Sequence, residues 1–157
     1  LTMTQNFKFD LFNEMGRNEK NMDVREYNCG GYALGTFCWI IPYTMRPWNF
    51  YNDKKEGNEN FEKSLEHSVN YMLKVFKNKL RVIEDLHDLK ENEYAVAYRI
   101  GRGDFHFMKR KKNGHWYHKM GMCEIEPILK EDVFSPCWYN DCGDRYNSRI
   151  VLLAVVE

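Results

Sequence analysis

The chain has 157 residues, 43% of them hydrophobic, which suits a single domain over residues 1–157 with a buried core. Its 23 basic and 23 acidic side chains balance, so it lacks the basic excess of a dedicated nucleic-acid binder, and nucleic acid is not an expected partner. No apolar run approaches the roughly 18 residues of a membrane span, and the opening "LTMTQNFKFD" lacks the basic-then-apolar order of a secretory leader. Five cysteines, an odd number at spacings that match no disulfide scaffold, then point to reduced thiols in a cytoplasmic protein with no membrane partner. Leu1 is not an initiator, which leaves Met3 as a candidate native start.

Residues 1–28 are polar and irregular, with a short "FKFDLF" that could pair as a strand or turn as a helix. From Cys29, "CGGYALGTFCWII" sets Tyr32, Phe37 and Ile40 among small residues and predicts a closely packed helix ending before Pro42. Its glycines cost about 1 kcal/mol each relative to alanine, which makes sense if something must approach the backbone closely. An aromatic loop, "PYTMRPWNFYNDKKEGNEN", follows. Phe61, Leu65, Val69, Met72, Leu73 and Phe76 then recur at three-to-four spacing, the clearest amphipathic helix in the chain, with His67 off the stripe. The remainder reads as strands: "RVIEDL", "EYAVAYRIG", "DFHFMKRK", "HWYHKMG" and "SRIVLLAVVE". Asn113-Gly114 is a hairpin signal, and a two-residue turn there would set His118 opposite Lys109. The order predicts an α+β fold, with N-terminal helices packed on an antiparallel sheet.

Three residues of this layout form a chemical constellation. Cys29 opens a predicted helix, and a helix N-terminus and a nearby histidine both lower a thiol's pKa from about 8.5 toward the thiolate that attacks carbonyls. His106, between Phe105 and Phe107, shares a strand face with Asp104 and Met108, and faces a cleft if the phenylalanines face the core. A third polar group must hold the base's tautomer, and His118 is the first candidate, with His115, Asp104, Asn140 and Asp141 as rivals. On this plan the Cys29 sulfur lies within hydrogen-bond reach of His106 in an open pocket. It should then react with iodoacetamide faster than Cys38 and the other thiols.

"NCGGYALG", followed by "EYAVAYRIGRGDFHFMKRKKNGHWYHKMG", resembles the papain-like cysteine peptidase fold, and most of all the compact bacterial NlpC-type amidases and small phage and bacterial relatives. In that group a cysteine opens a helix, a histidine begins a later strand, and a third polar residue follows about a dozen positions on; here the interval is 12. The likeness covers Cys29 to about Gly121. It implies a thiol hydrolase of amide or peptide bonds, with an acyl-enzyme on Cys29, His106 as general base and His118 orienting it, and a peptide or amide-containing substrate. No cofactor and no metal are required. The chain departs from the group at the nucleophile, with Asn28-Cys29-Gly30-Gly31 for the usual Asp-Cys-Ser-Gly, and it has Asp23 where papain carries its oxyanion glutamine. Asn28 or Tyr27 is then the candidate oxyanion donor.

Other readings compete. Cys137 and Cys142 form one close pair without a second knuckle, which speaks against structural zinc, and their segment "CWYNDCGDRYNS" reads as a loop able to cover the cleft. The basic run from Lys109 to Lys119 reads as a solvated hairpin tip rather than a phosphate site. Cys38 reads as core. Among the aromatics, Trp48 and Tyr51 lie in a polar loop and are those expected near a ligand, whereas Trp39, Phe50, Trp116 and Trp138 read mostly as packing. The alternative function is a catalytically weak or inactive binding protein on the same scaffold, such as a phage-type inhibitor of a host protein; an acyltransferase would share the first half-reaction.

Overall fold

Tyr94 to Ile100 is a nearly unbroken run of residues with little exposure, so this strand is covered on both faces and lies at the centre of a sheet. The computed structural model describes residues 16–42, 58–101 and 104–157. Within them the main sheet has six strands: β1 (Leu80–Ile83), β2 (Glu93–Ile100), β3 (Phe105–Arg110), β4 (Trp116–Lys119), β5 (Ile125–Ile128) and, after the small β6–β7 ribbon (Trp138–Tyr139, Arg145–Tyr146), β8 (Val151–Val156). Their order is β1-β8-β2-β3-β4-β5, and every pairing is antiparallel. This is the α+β layout expected from the strand pattern. No helix among the described residues is long and apolar enough to cross a membrane.

Side chains alternate across a strand, and the two faces differ. One carries Val96, Tyr98, Ile100, Phe107, Leu153 and Val155 and packs under two helices, α1 (Cys29–Leu34) and α2 (Asn58–Phe76). Leu65, Val69, Met72 and Phe76 supply the buried stripe of α2 at the spacing read from the sequence, and His67 is exposed as expected. Tyr98 donates to Ser68 Oγ at 2.8 Å, fixing α2 on the sheet, and Tyr94 donates to the Ala33 carbonyl at 2.7 Å, fixing α1. The other face carries Ala95, Ala97, Met108 and Trp116, covered by Val133 of a short helix, α3 (Lys130–Val133), and by the segment that follows it.

Two local expectations are corrected. The helix opening at Cys29 ends at Leu34, well before Pro42, because Gly35 (φ 77°) and Phe37 (φ 50°) take left-handed conformations and turn the chain back. Residues 38–40 then run alongside α1, and Cys38 is buried there rather than near the helix end. The glycines are explained by this return: a Cβ on Gly31 would lie 1.9 Å from the Cys38 carbonyl oxygen, and one on Gly30 would lie 2.9 Å from Ile40 Cβ. What approaches the backbone is the chain itself.

The second correction concerns register. The hairpin turns through three residues, Lys112 to Gly114, with Lys111 N–H donating to His115 O (2.9 Å) and Gly114 at φ 86°. His118 therefore pairs with Met108, not Lys109. A one-residue slip moves a side chain to the other face of a sheet, so this extra loop residue puts His118 on the same face as His106.

Gly31→Ala is expected to destabilise the fold by about 1–3 kcal/mol, the range for overpacking a core. Urea unfolding measures it; stability equal to wild type would show that residues 38–40 do not pack on α1 as described.

Candidate functional site

His106 and His118 come together on the α3-side face of the sheet. His106 Nε2 and His118 Nδ1 share a hydrogen bond of 2.9 Å, with the rings near-perpendicular (82°). His106 is 1% exposed and His118 6%. Trp138 stacks on His106 at 4.8 Å and 12° and meets His118 edge-on at 5.4 Å, while Tyr146 lies 5.6 Å from the His106 ring. The 137–148 segment, read from the sequence as a loop, carries the β6–β7 ribbon and covers the histidine pair. Tyr146 also donates to Asp104 Oδ2 at 2.7 Å.

Arg99, opposite His106 on β2, holds this cover in place. Its guanidinium is 1% exposed and donates to the carbonyls of Ser135 (2.8 Å), Pro136 (3.0 Å) and Ser148 (2.9 Å), with no carboxylate partner among the described residues. A buried arginine remains charged. Burial above all, then the His118 ring and the Arg99 charge, hold the His106 pKa well below the ordinary histidine value. His118 is also lowered by burial, against the opposing pull of Glu126 and Asp141. Both rings are therefore neutral near pH 7.

Cys29 lies on the opposite, helix-packed side. It opens α1, its residue is 5% exposed, and it belongs to the cluster built around Phe107 and Ile40. The backbone N–H groups of Phe107 and Gly30 favour the thiolate, but burial outweighs them and pushes the thiol up to about 12. A six-residue helix adds only a small dipole. No hydrogen bond joins Cys29 to His106 among the described residues. The activated, open thiol expected from the sequence is thus corrected: the described state holds a covered, protonated thiol.

The sulfur and the imidazole nevertheless meet β3 at adjoining residues. The β3–β4 ladder pairs Met108 to Arg110 with Trp116 to His118 and stops, leaving Phe105, His106 and Phe107 without a β4 partner. The Phe107 N–H that favours the Cys29 thiolate belongs to the peptide that follows His106. The thiol therefore lies beside the open end of the ladder.

Asn28, one candidate oxyanion donor, is committed to structure, which corrects that expectation. Asn28 Oδ1 accepts from Gly31 N–H (3.1 Å) and Ile40 N–H (3.0 Å), and its Nδ2 donates to Ile40 O (2.8 Å), so the side chain caps α1 and pins the return segment. Tyr27 packs edge-on against Phe37, and its carbonyl accepts from Lys119 Nζ, which also donates to Gly121 O. Lys119 is fully buried and its charge favours the Cys29 thiolate. The rivals to His118 as orienting group fall away as its direct partners: Asp104 is bound to Tyr146, His115 is exposed on the hairpin, and Asn140 and Asp141 lie in the turn between β6 and β7. Among the described residues no group of three or more His, Cys, Asp or Glu could hold a metal ion. Trp48 and Tyr51 lie outside the described residues.

Arg99, Trp138, Tyr146 and Lys119 are the site residues that sequence reasoning missed. Alternation within "AYRIG" and "HWYHKMG" could have flagged Arg99 and Lys119 as charges on strands, but nothing local shows what pairs with them. No protein-family model, curated protein or solved structure matches the chain.

Two predictions follow from these environments. A histidine whose folded pKa is depressed contributes stability that is present above its unfolded value, about 6.5, and lost as pH falls below it. Unfolding free energy should therefore drop between pH 7 and 5, by up to about 1.4 kcal/mol per pH unit for each of the two rings. A flat profile in urea titrations would contradict the buried neutral pair. Iodoacetamide at pH 7 should modify exposed Cys123 and Cys142 well before Cys29 and Cys38, as peptide mapping would show; Cys29 labelled first would contradict its burial.

Proposed function

We propose that the protein is a thiol-dependent hydrolase of amide or peptide bonds on the papain-like plan, with Cys29 as nucleophile, His106 as base and His118 as the residue that orients His106. The observation that supports this reading is the His106–His118 hydrogen bond shielded by Trp138, with Cys29 opening α1 beside the same strand, β3. With Nε2 engaged by His118, Nδ1 is the nitrogen left to exchange a proton with the thiol. In the reaction, the Cys29 proton passes to His106 as sulfur bonds the carbonyl carbon. The C–N bond then breaks as the amine takes that proton, and water releases the acyl group. Because the resting thiol is covered and protonated, substrate binding must open the site and bring the two side chains into contact. Geometry of this kind tightens on forming the reactive complex in many enzymes.

A second reading, a binding protein without turnover, is favoured by one specific observation: the burial that pushes the Cys29 thiol up to about 12, together with the structural commitment of Asn28. Its partner would be another protein rather than a cleaved peptide.

Incubation with a diverse peptide mixture, with new termini read by mass spectrometry, separates the two. Hydrolysis predicts cleavage that Cys29→Ala abolishes and His106→Gln lowers by about 100-fold or more, without loss of fold. His118→Gln should shift the acid limb of the rate profile to higher pH, because removing the His118 ring relieves one depression of the His106 pKa. Absence of Cys29-dependent cleavage in a folded protein, with any cellular effect intact in Cys29→Ala, would favour the binding reading.

A further inference from the structure

At the end of the sheet remote from the histidine pair, a pocket of about 480 Å³ opens between the C-terminus of α1 and the β3–β4 hairpin. Its walls carry five cationic side chains, Lys79, Lys109, Arg110, Lys111 and Lys112, against one carboxylate, Glu157. That carboxylate is already taken by Lys112, at 2.9 Å. Lys111 faces Glu19 at 3.7 Å, a loose and half-exposed pair. The side chains of Lys109 and Arg110 form no hydrogen bond or ion pair among the described residues.

Lys109 is the unusual member. Its side chain is half-buried and its ammonium lies over two aromatic rings, 4.6 Å from the Tyr94 centroid and 5.3 Å from that of Tyr32. Ring faces attract a cation, but they accept none of its three N–H donors in the way an oxygen does. Its donors therefore face the pocket, where an acceptor that enters can meet them. Tyr94 is itself locked by its bond to Ala33, and Gly35 lines the same wall, so the platform beneath Lys109 is rigid.

We propose that this pocket is a binding site for a small, multiply charged anion of the phosphate type, held by Lys109 from below and by Arg110 and the hairpin lysines from the rim. The chemistry follows from the donors: an ammonium supplies a point charge with three donors, and a guanidinium supplies a planar fork that matches two phosphate oxygens. This site is independent of the thiol reading, since neither Cys29 nor the histidine pair lines it.

The probes are inorganic phosphate and pyrophosphate, titrated into the ¹⁵N-labelled full chain at constant ionic strength, with chloride as the reference anion. Saturable shifts confined to amides of Gly35, Tyr94 and residues 109–112 are expected, with pyrophosphate the tighter of the two. Lys109→Met should weaken binding by about tenfold or more, and the rim variant Lys111→Gln/Lys112→Gln severalfold, while exposed Lys63→Gln leaves it unchanged. If Lys109→Met fails to fold, the rim variant alone decides. Shifts that do not saturate, that match those from chloride, or that survive in the rim variant would overturn the proposal.

Discussion

The candidate site depends on the register of one hairpin. Three residues, Lys112 to Gly114, turn the chain between β3 and β4, with Gly114 in a conformation that favours glycine. That count puts His118 opposite Met108 and hence on the face of His106, one diagonal step away. A two-residue turn would have sent the His118 side chain through to the helix-packed face, where Lys119 now points at the Tyr27 carbonyl. One loop residue thus decides whether the chain has a histidine pair at all.

Once the pair forms, its environment is costly. Two imidazoles and a guanidinium are buried beneath one loop, with no carboxylate bonded to any of the three among the described residues. Arg99 offsets part of this by donating to three carbonyls, which simultaneously clamps the segment bearing Trp138 and Tyr146 over the rings. Apolar side chains of similar size would fill that space with less penalty. Such a locally unfavourable choice, adjoining a cysteine at a break in the strand ladder, is the kind of conflict that marks functional sites. The thiol side is the converse: Asn28, Gly30 and Gly31 are used to pack α1 against residues 38–40, and their chemistry is spent on structure.

Much of the fold was legible because it rests on periodicity. The α2 stripe, the buried run of β2 and the β8 segment each show their period directly, and an antiparallel sheet follows from hairpin signals. The early end of α1 was less legible, because left-handed backbone at Phe37 is set by tertiary packing rather than by residue type. The site was legible in composition but not in arrangement. Cys29, His106 and His118 could be selected, and the His106–His118 partnership follows once register is known. Burial could not be read, since Trp138, Tyr146 and Arg99 reach the site from segments distant in sequence. The strands β5 to β7 escaped because they are short and carry Pro127 and polar turns.

The most direct test of the account is ¹⁵N NMR of histidine-labelled protein, which reads the charge and tautomer of each ring. The account predicts that the His106 ring is neutral at pH 6, with one of the two rings carrying its proton in the bond between His106 Nε2 and His118 Nδ1. An imidazolium at His106 at pH 6, or two rings with no proton shared between those nitrogens, would contradict it.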